Sequence, residues 1–326
     1  MTRPVKAVVA KALRKARRYV RLLEEQIEED ARDYSQDDFV YPWLNSLCLS
    51  LLRKESYAAK KPQYAWGAIQ GAHLARTLGI GRISLIEFGV AGGNGLRALE
   101  EIAEQVEQVF ELGVDVYGFD TGKGLPQPRD YRDLPNLYRD AAFPMDIAKL
   151  KERLRKAELR LGLVEDTIEP FIREEPPPVA FIAFDLDYYS STAAALKILA
   201  ADPRLLLPRV HCYFDDIMGF THSDYTGERL AIAEFNASHS ARKISPIYGL
   251  KYFVPPRFRH AEWTEKIYLA HIFEHELYGR YDGLLRRASG GMTELRELPR
   301  RPRQEDRATK RSVPEAVPPV VDRRAS

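Results

Sequence analysis

Across 326 residues, 49 lysines and arginines stand against 47 aspartates and glutamates, and 45% of the chain is hydrophobic. A formal charge of +2 gives no global argument for nucleic acid, two cysteines (Cys48 and Cys212) are too few for a disulfide framework or a thiolate zinc site, and no run approaches the ~18 apolar residues that span a bilayer. With no apolar secretory leader, the expectation is a reducing, cytoplasmic setting and one catalytic domain carrying flanking extensions.

In chain order, Val5, Val9, Leu13, Ala16, Val20, Leu23 and Ile27 recur at helical spacing and predict a long amphipathic helix. Its first half is basic (Lys6, Lys11, Arg14, Lys15, Arg17, Arg18, Arg21) and its end acidic (Glu24, Glu25, Glu28, Glu29, Asp30). That polarity suits a solvated helix docked on its own domain or on a second copy in a homo-oligomer, and could also suit an anionic membrane surface. The aromatics Tyr34, Phe39, Tyr41, Trp43, Tyr57, Tyr64 and Trp66 follow, so residues 1–80 read as a helical N-terminal cap whose aromatics pack a core or line a pocket.

From 81 to 285 strands and helices alternate, with strands expected at 83–89, 114–119, 161–165, 179–185, 210–215, 243–248 and 267–273, and helices at 95–108, 146–158, 191–200 and 226–238. This predicts an α/β fold: a Rossmann-like, seven-stranded, mostly parallel sheet with helices on both faces and a late hairpin joining Ile244–Tyr248 to Ile267–Ile272. Beyond about Arg286 prolines mix with arginines (Pro299, Arg300, Arg301, Pro302, Arg303), and residues 286–326 are expected to be a disordered basic tail, because such a segment buries too little apolar surface to offset ordering.

Within the sheet, the apolar run Ile83–Phe88 contains Glu87 and opens into Gly89-Val90-Ala91-Gly92-Gly93-Asn94-Gly95. A buried strand that empties into a glycine turn and then a helix presents backbone N–H groups to an adenosine-containing ligand. Gly93-x-Gly95-x-x-Ala98 satisfies the dinucleotide pattern, and Asp120, ending the next strand, stands where an acid would meet ribose hydroxyls, so NAD is not excluded by the motif. Glu87 favours S-adenosylmethionine: a carboxylate there would face the phosphates of a dinucleotide, whereas S-adenosylmethionine offers an ammonium and a sulfonium.

Glu87-x-Gly89-x-x-Gly92-Gly93 with Gly118-Phe119-Asp120-Thr121-x-x-Gly124-Leu125-Pro126 resembles the class I S-adenosylmethionine-dependent methyltransferases, and among them the macrocin O-methyltransferase group, which methylates sugar hydroxyls on natural products. Asp185-Leu186-Asp187-Tyr188-Tyr189-Ser190-Ser191-Thr192 resembles the group's aspartate-rich motif after the fourth strand, and Phe214-Asp215-Asp216 its paired aspartates after the fifth; the matched blocks run from about residue 83 to 236. The resemblance implies a cofactor site at Glu87, Gly89, Val90, Ala91, Gly92, Gly93, Asn94 and Asp120, with Asp166 near the adenine. It further implies a Mg²⁺ site at Asp185, Asp215 and Asp216, Asp185 as general base, and an N-terminal region that covers the active site. Leu186 stands where a small residue is usual and Pro208-Arg209 where a glycine pair is usual, so Asp187 remains a second candidate ligand.

The residues themselves agree with that chemistry. Asp185, Asp187, Asp215 and Asp216 follow adjacent strands at the edge where open α/β sheets bind ligands, and clustered carboxylates are hard oxygen donors of the kind Mg²⁺ takes. Coordination would lower the pKa of an acceptor hydroxyl and hold its oxygen in line with the S-methyl group. Some of these aspartates could instead cap the helix near Ser190 or form surface ion pairs. Among His222, His239, His271 and His275, His222 is the best alternative base because it follows the Asp215-Asp216 turn. The leading expectation is thus a metal-assisted O-methyltransferase for a small hydroxylated acceptor, with no nucleic acid and no membrane span; the alternatives are an NAD-type oxidoreductase and a non-catalytic binding protein.

Overall fold

In a computed structural model, the structure describes residues 42–51 and 56–280. The amphipathic helix expected over Val5–Ile27 and the tail expected from 286 lie outside the described residues, as do the aromatics Tyr34, Phe39 and Tyr41.

The chain runs α1 (Pro42–Leu51), α2 (Pro62–Leu78), β1 (Arg82–Phe88), α3 (Asn94–Phe110), β2 (Gly113–Asp120), α4 (Ile147–Arg153), β3 (Glu158–Leu161), α5 (Val164–Arg173), β4 (Val179–Phe184), α6 (Tyr189–Ala195), β5 (Leu206–Phe214), α7 (Gly227–Ser238), β6 (Arg242–Pro246) and β7 (Ile267–Ile272). The sheet order is β3-β2-β1-β4-β5-β7-β6. Strands β1 to β5 are parallel, and β7 runs antiparallel to both β5 and β6. This is the seven-stranded sheet with a late hairpin that the methyltransferase resemblance implies.

All six residues of β4 and the last six of β1 are buried, the pattern of strands covered on both faces. Helix α2 approaches them through small residues: a Cβ added at Gly71 would lie 2.7 Å from the Ala180 carbonyl oxygen, and one at Gly67 would meet the Phe181 ring at 2.4 Å. At the carboxyl end of the sheet Phe119, Phe88, Phe184 and Phe214 occupy one register row, with successive ring centroids 4.8, 5.5 and 4.5 Å apart. From β1 the chain winds outward to β2 and β3, then returns to β4 on the other side of β1, so the crevice of this sheet opens between the carboxyl ends of β1 and β4.

Three expected boundaries move. The third strand, read at 161–165, is Glu158–Leu161, and Val164–Arg173 is a helix. Leu161, Leu163 and Val164 mimic a strand, but Gly162 breaks it, and Glu165 and Asp166 sit in a helical first turn, where acids are stabilised by the helix dipole. The helix read at 146–158 stops at Arg153, with Asp146 capping it through Lys149 N–H. Strand β5 starts at Leu206, because Pro208 lies in an irregularity between the Val179–Leu206 and Phe181–His211 pairs, where the missing N–H breaks no ladder bond.

Candidate active site

The crevice holds a cavity of about 500 Å³ whose walls come from the carboxyl ends of β1, β2, β4 and β5. The ladder continues one residue past each strand: Gly89 N–H donates to the Phe119 carbonyl, Asp185 N–H to Phe88 and Asp215 N–H to Phe184, each at 2.9 Å. Those bonds fix the start of the glycine turn and both aspartate motifs in one row.

The glycine turn is built around contacts that admit no side chain. Gly89 has φ +85°, and a Cβ there would fall 1.7 Å from the Asp185 carbonyl oxygen. Gly95, in the first turn of α3, lies against Glu87, whose Oε1 would be 1.8 Å from an added Cβ. Asp120 ties the turn to β2: its Oδ2 accepts from the N–H groups of Val90 and Ala91 at 2.9 Å, and its Oδ1 from Gly122 N–H at 2.6 Å. Of the expected cofactor residues, Glu87, Gly89, Val90, Ala91, Gly92, Asn94 and Asp120 line the cavity. Gly93 is not in its wall; at φ +80° it caps α3 and lets Leu150 pack close, with a Cβ there meeting Leu150 Cδ1 at 2.1 Å. Asp166 is also outside the wall, exposed in the first turn of α5; Leu163 and Val164 are the residues of that region that face the cavity.

Glu87 is 2% exposed. Its Oε1 accepts from the Tyr64 hydroxyl at 2.8 Å, and its Oε2 has no hydrogen-bond partner among the described residues. Burial pushes its carboxyl from 4.5 up to about 8, against the opposing pull of the Lys61 charge and the Tyr64 hydrogen bond. The raised value means the folded chain binds a proton that the unfolded chain releases between pH 4.5 and 8. Stability is therefore expected to fall as pH rises through that window, by at most about 1.4 kcal/mol per pH unit from this one group. Melting temperatures between pH 5 and 8.5 check this: the Glu87→Gln variant is expected to show a flatter profile, and an unchanged slope would contradict it.

At the other end of the cavity stand Asp185, Asp187, Asp215 and Asp216. Burial, then the charges of Asp215 and Asp216, push Asp185 up to about 7, while Lys61, 3.9 Å away, and Lys266 oppose the rise. Asp187, in the left-handed region at φ +61°, is pushed to about 8 by burial and by Asp216 and Asp185. Asp216 is raised chiefly by burial. Its Oδ1 accepts from the Tyr138 hydroxyl at 3.0 Å, its Oδ2 from Asp187 N–H at 3.0 Å, and its own N–H donates to the fully buried Glu228 at 2.9 Å. Asp215 accepts from the Tyr213 hydroxyl and lies 3.4 Å from Lys266 Nζ. Among the described residues no group of three or more His, Cys, Asp or Glu side chains is set for a metal ion. Tyr138 engages an oxygen of Asp216, and Tyr213 and Lys266 engage an oxygen of Asp215. The four acids nevertheless share one pocket, and carboxylate oxygens are donors of the kind a hard cation takes.

His222 stands behind Tyr138, its Nε2 3.5 Å from the phenol oxygen, and is not in the cavity wall. Sequence reasoning missed Tyr138 and Lys61, both of which line the cavity. Tyr138 belongs to the aperiodic stretch 121–146, where no hydrophobic repeat marks a pocket residue. Removing its hydroxyl would leave a half-buried Asp216 oxygen short of a donor, so Tyr138→Phe is expected to cost about 1–3 kcal/mol in urea denaturation; no loss would show that the bond contributes nothing net. Tyr64 and Trp66, read as either lid or core, are buried in α2. Tyr64 packs on Phe181 and Tyr213 and serves the site through Glu87. No described helix is long and apolar enough to cross a membrane.

No protein-family model matches the chain, and no curated protein matches it. Among solved structures the chain is similar to the calicheamicin methyltransferase CalS11, at 22% identity over 63% of this chain and 88% of that one with a TM-score of 0.40. It is also similar to the O-methyltransferase NovP, at 17% identity over 52% and 70% with a TM-score of 0.38. A third is the O-methyltransferase from Bacillus cereus in complex with SAH, at 17% identity over 77% and 90% with a TM-score of 0.32.

Proposed function

We propose that the chain is an S-adenosylmethionine-dependent O-methyltransferase acting on a hydroxyl of a small acceptor, of the sugar or natural-product kind that the sequence resemblance implies. The observation that carries this reading is one cavity with two chemically different ends: a glycine turn over a buried, half-partnered Glu87, and a cluster of four aspartates. Glu87 Oε2 receives the donor's α-ammonium. Asp120 already accepts three backbone N–H bonds, and a carboxylate has about four acceptor sites, which leaves room for a ribose hydroxyl. Leu163, Val164, Leu125 and Pro126 offer an apolar wall to the adenine.

Asp185, in the aspartate cluster, is pinned by Phe88 and flanked by Lys61, and takes the proton of the acceptor hydroxyl. The acceptor oxygen forms a bond to the methyl carbon as the carbon–sulfur bond breaks, and the sulfonium's positive charge is neutralised by the departing electron pair. The cavity holds the two reactants together and so supplies proximity. A Mg²⁺ ion held by Asp185, Asp215 and Asp216, with Asp187 as a second candidate, would supply Lewis-acid lowering of the acceptor's pKa.

A dinucleotide would bring phosphates against Glu87, and hydride transfer gives the aspartate cluster no role. The test is transfer of label from methyl-labelled S-adenosylmethionine to a panel of polyhydroxylated small molecules, with Mg²⁺ or with EDTA. Label transfer that EDTA abolishes and Mg²⁺ restores is the expected result. Transfer indifferent to EDTA would remove the metal from the account, and no transfer together with reduction of NAD by an alcohol would remove the methyltransferase.

A further inference from the structure

We propose that Lys61 anchors the α-carboxylate of the methyl donor, so that Lys61 and Glu87 together read the zwitterionic amino-acid head of S-adenosylmethionine; this rests on the methyltransferase reading above. Among the described residues the cavity is lined by six carboxylates, those of Glu87, Asp120, Asp185, Asp187, Asp215 and Asp216, and by one basic side chain, that of Lys61. A ligand carboxylate entering this acid-lined cavity finds its most favourable position near this ammonium. Lys61 is also next to the group that would hold the other half of the head. Its Nζ lies 4.9 Å from the centre of the Tyr64 ring, and the Tyr64 hydroxyl is bonded to Glu87 at 2.8 Å. The Lys61 charge is the strongest of those that lower the Glu87 pKa. Glu87 keeps a buried oxygen without a partner, which an ammonium satisfies, and an α-amino acid carries its carboxylate one carbon from that ammonium.

The Lys61 ammonium is not consumed by its protein contact. It lies 3.9 Å from Asp185 Oδ2, at the outer limit of an ion pair, and an ammonium has three N–H donors. Its backbone position is set by the turn Ala58–Lys60 and by Pro62 at the start of α2, so the side chain emerges from a fixed point at the cavity mouth.

The test compares binding of S-adenosylmethionine and of its decarboxylated analogue, which keeps the ammonium and the sulfonium, to the full chain by calorimetry. The wild type is expected to prefer S-adenosylmethionine. Lys61→Met is expected to lose about 10- to 100-fold in affinity for S-adenosylmethionine, the range of a charge-assisted bond, and to bind the analogue as the wild type does, so that the preference disappears. Lys61→Arg is expected to retain part of it. A Lys61→Met variant that melts like the wild type but weakens both ligands equally, or neither, overturns the assignment. A wild type that binds neither ligand overturns instead the methyl-donor reading on which it rests.

Discussion

Asp185→Asn is expected to lower kcat by about 10²–10⁴-fold, the usual contribution of a positioned general base, and to leave S-adenosylmethionine binding within a factor of about two. The substitution keeps the shape and the Phe88-anchored backbone but replaces a proton acceptor by an amide. At about 1.4 kcal/mol per tenfold, the loss corresponds to about 3–6 kcal/mol of barrier. The measurement is steady-state turnover beside calorimetric binding of the donor. Asp187→Asn is the internal control: Asp187 is held in the left-handed region and donates its N–H to Asp216. A larger loss of kcat in Asp187→Asn than in Asp185→Asn would exchange their roles.

Gly89→Ala is expected to destabilise the fold by about 3 kcal/mol or more, because it combines a left-handed backbone with a collision against main chain. The added Cβ would lie 1.7 Å from the Asp185 carbonyl oxygen at φ +85°, and every atom it meets is main chain of Asp185, which cannot swing away as a side chain could. Relief requires β1 and β4 to separate where they form the cavity floor, so donor binding is expected to fail together with stability. Gly92→Ala supplies the contrast: nothing lies within 4 Å of a Cβ there, and its melting temperature is expected to match the wild type. Equal melting temperatures for both variants would show that the turn does not hold the strand ends as described.

Glu87, Gly89 and Asp120 were legible because a strand that ends in an acid and a glycine turn has few other uses, and the structure puts all three in one wall. Asp185, Asp215 and Asp216 were legible because each ends an apolar run, and parallel strands align such ends. Asp166 was not: its placement depended on the third strand, and a three-residue error there turned a strand end into the exposed face of α5. Lys61 and Tyr138 escaped for a related reason. A lysine beside a helix start and a tyrosine in an aperiodic loop carry no period, and only tertiary packing brings them to the carboxylates. Gly93, expected with the cofactor residues, lies outside the cavity wall, because the glycine pattern does not distinguish backbone that lines a cavity from backbone that admits Leu150.

The most direct test of the account is calorimetric titration of the chain with S-adenosylmethionine and, separately, with NAD, each in Mg²⁺ and again in EDTA. Saturable binding of S-adenosylmethionine with no binding of NAD is the expected result. Binding of NAD, or of neither, would contradict it and leave Glu87 and the four aspartates without the roles assigned to them.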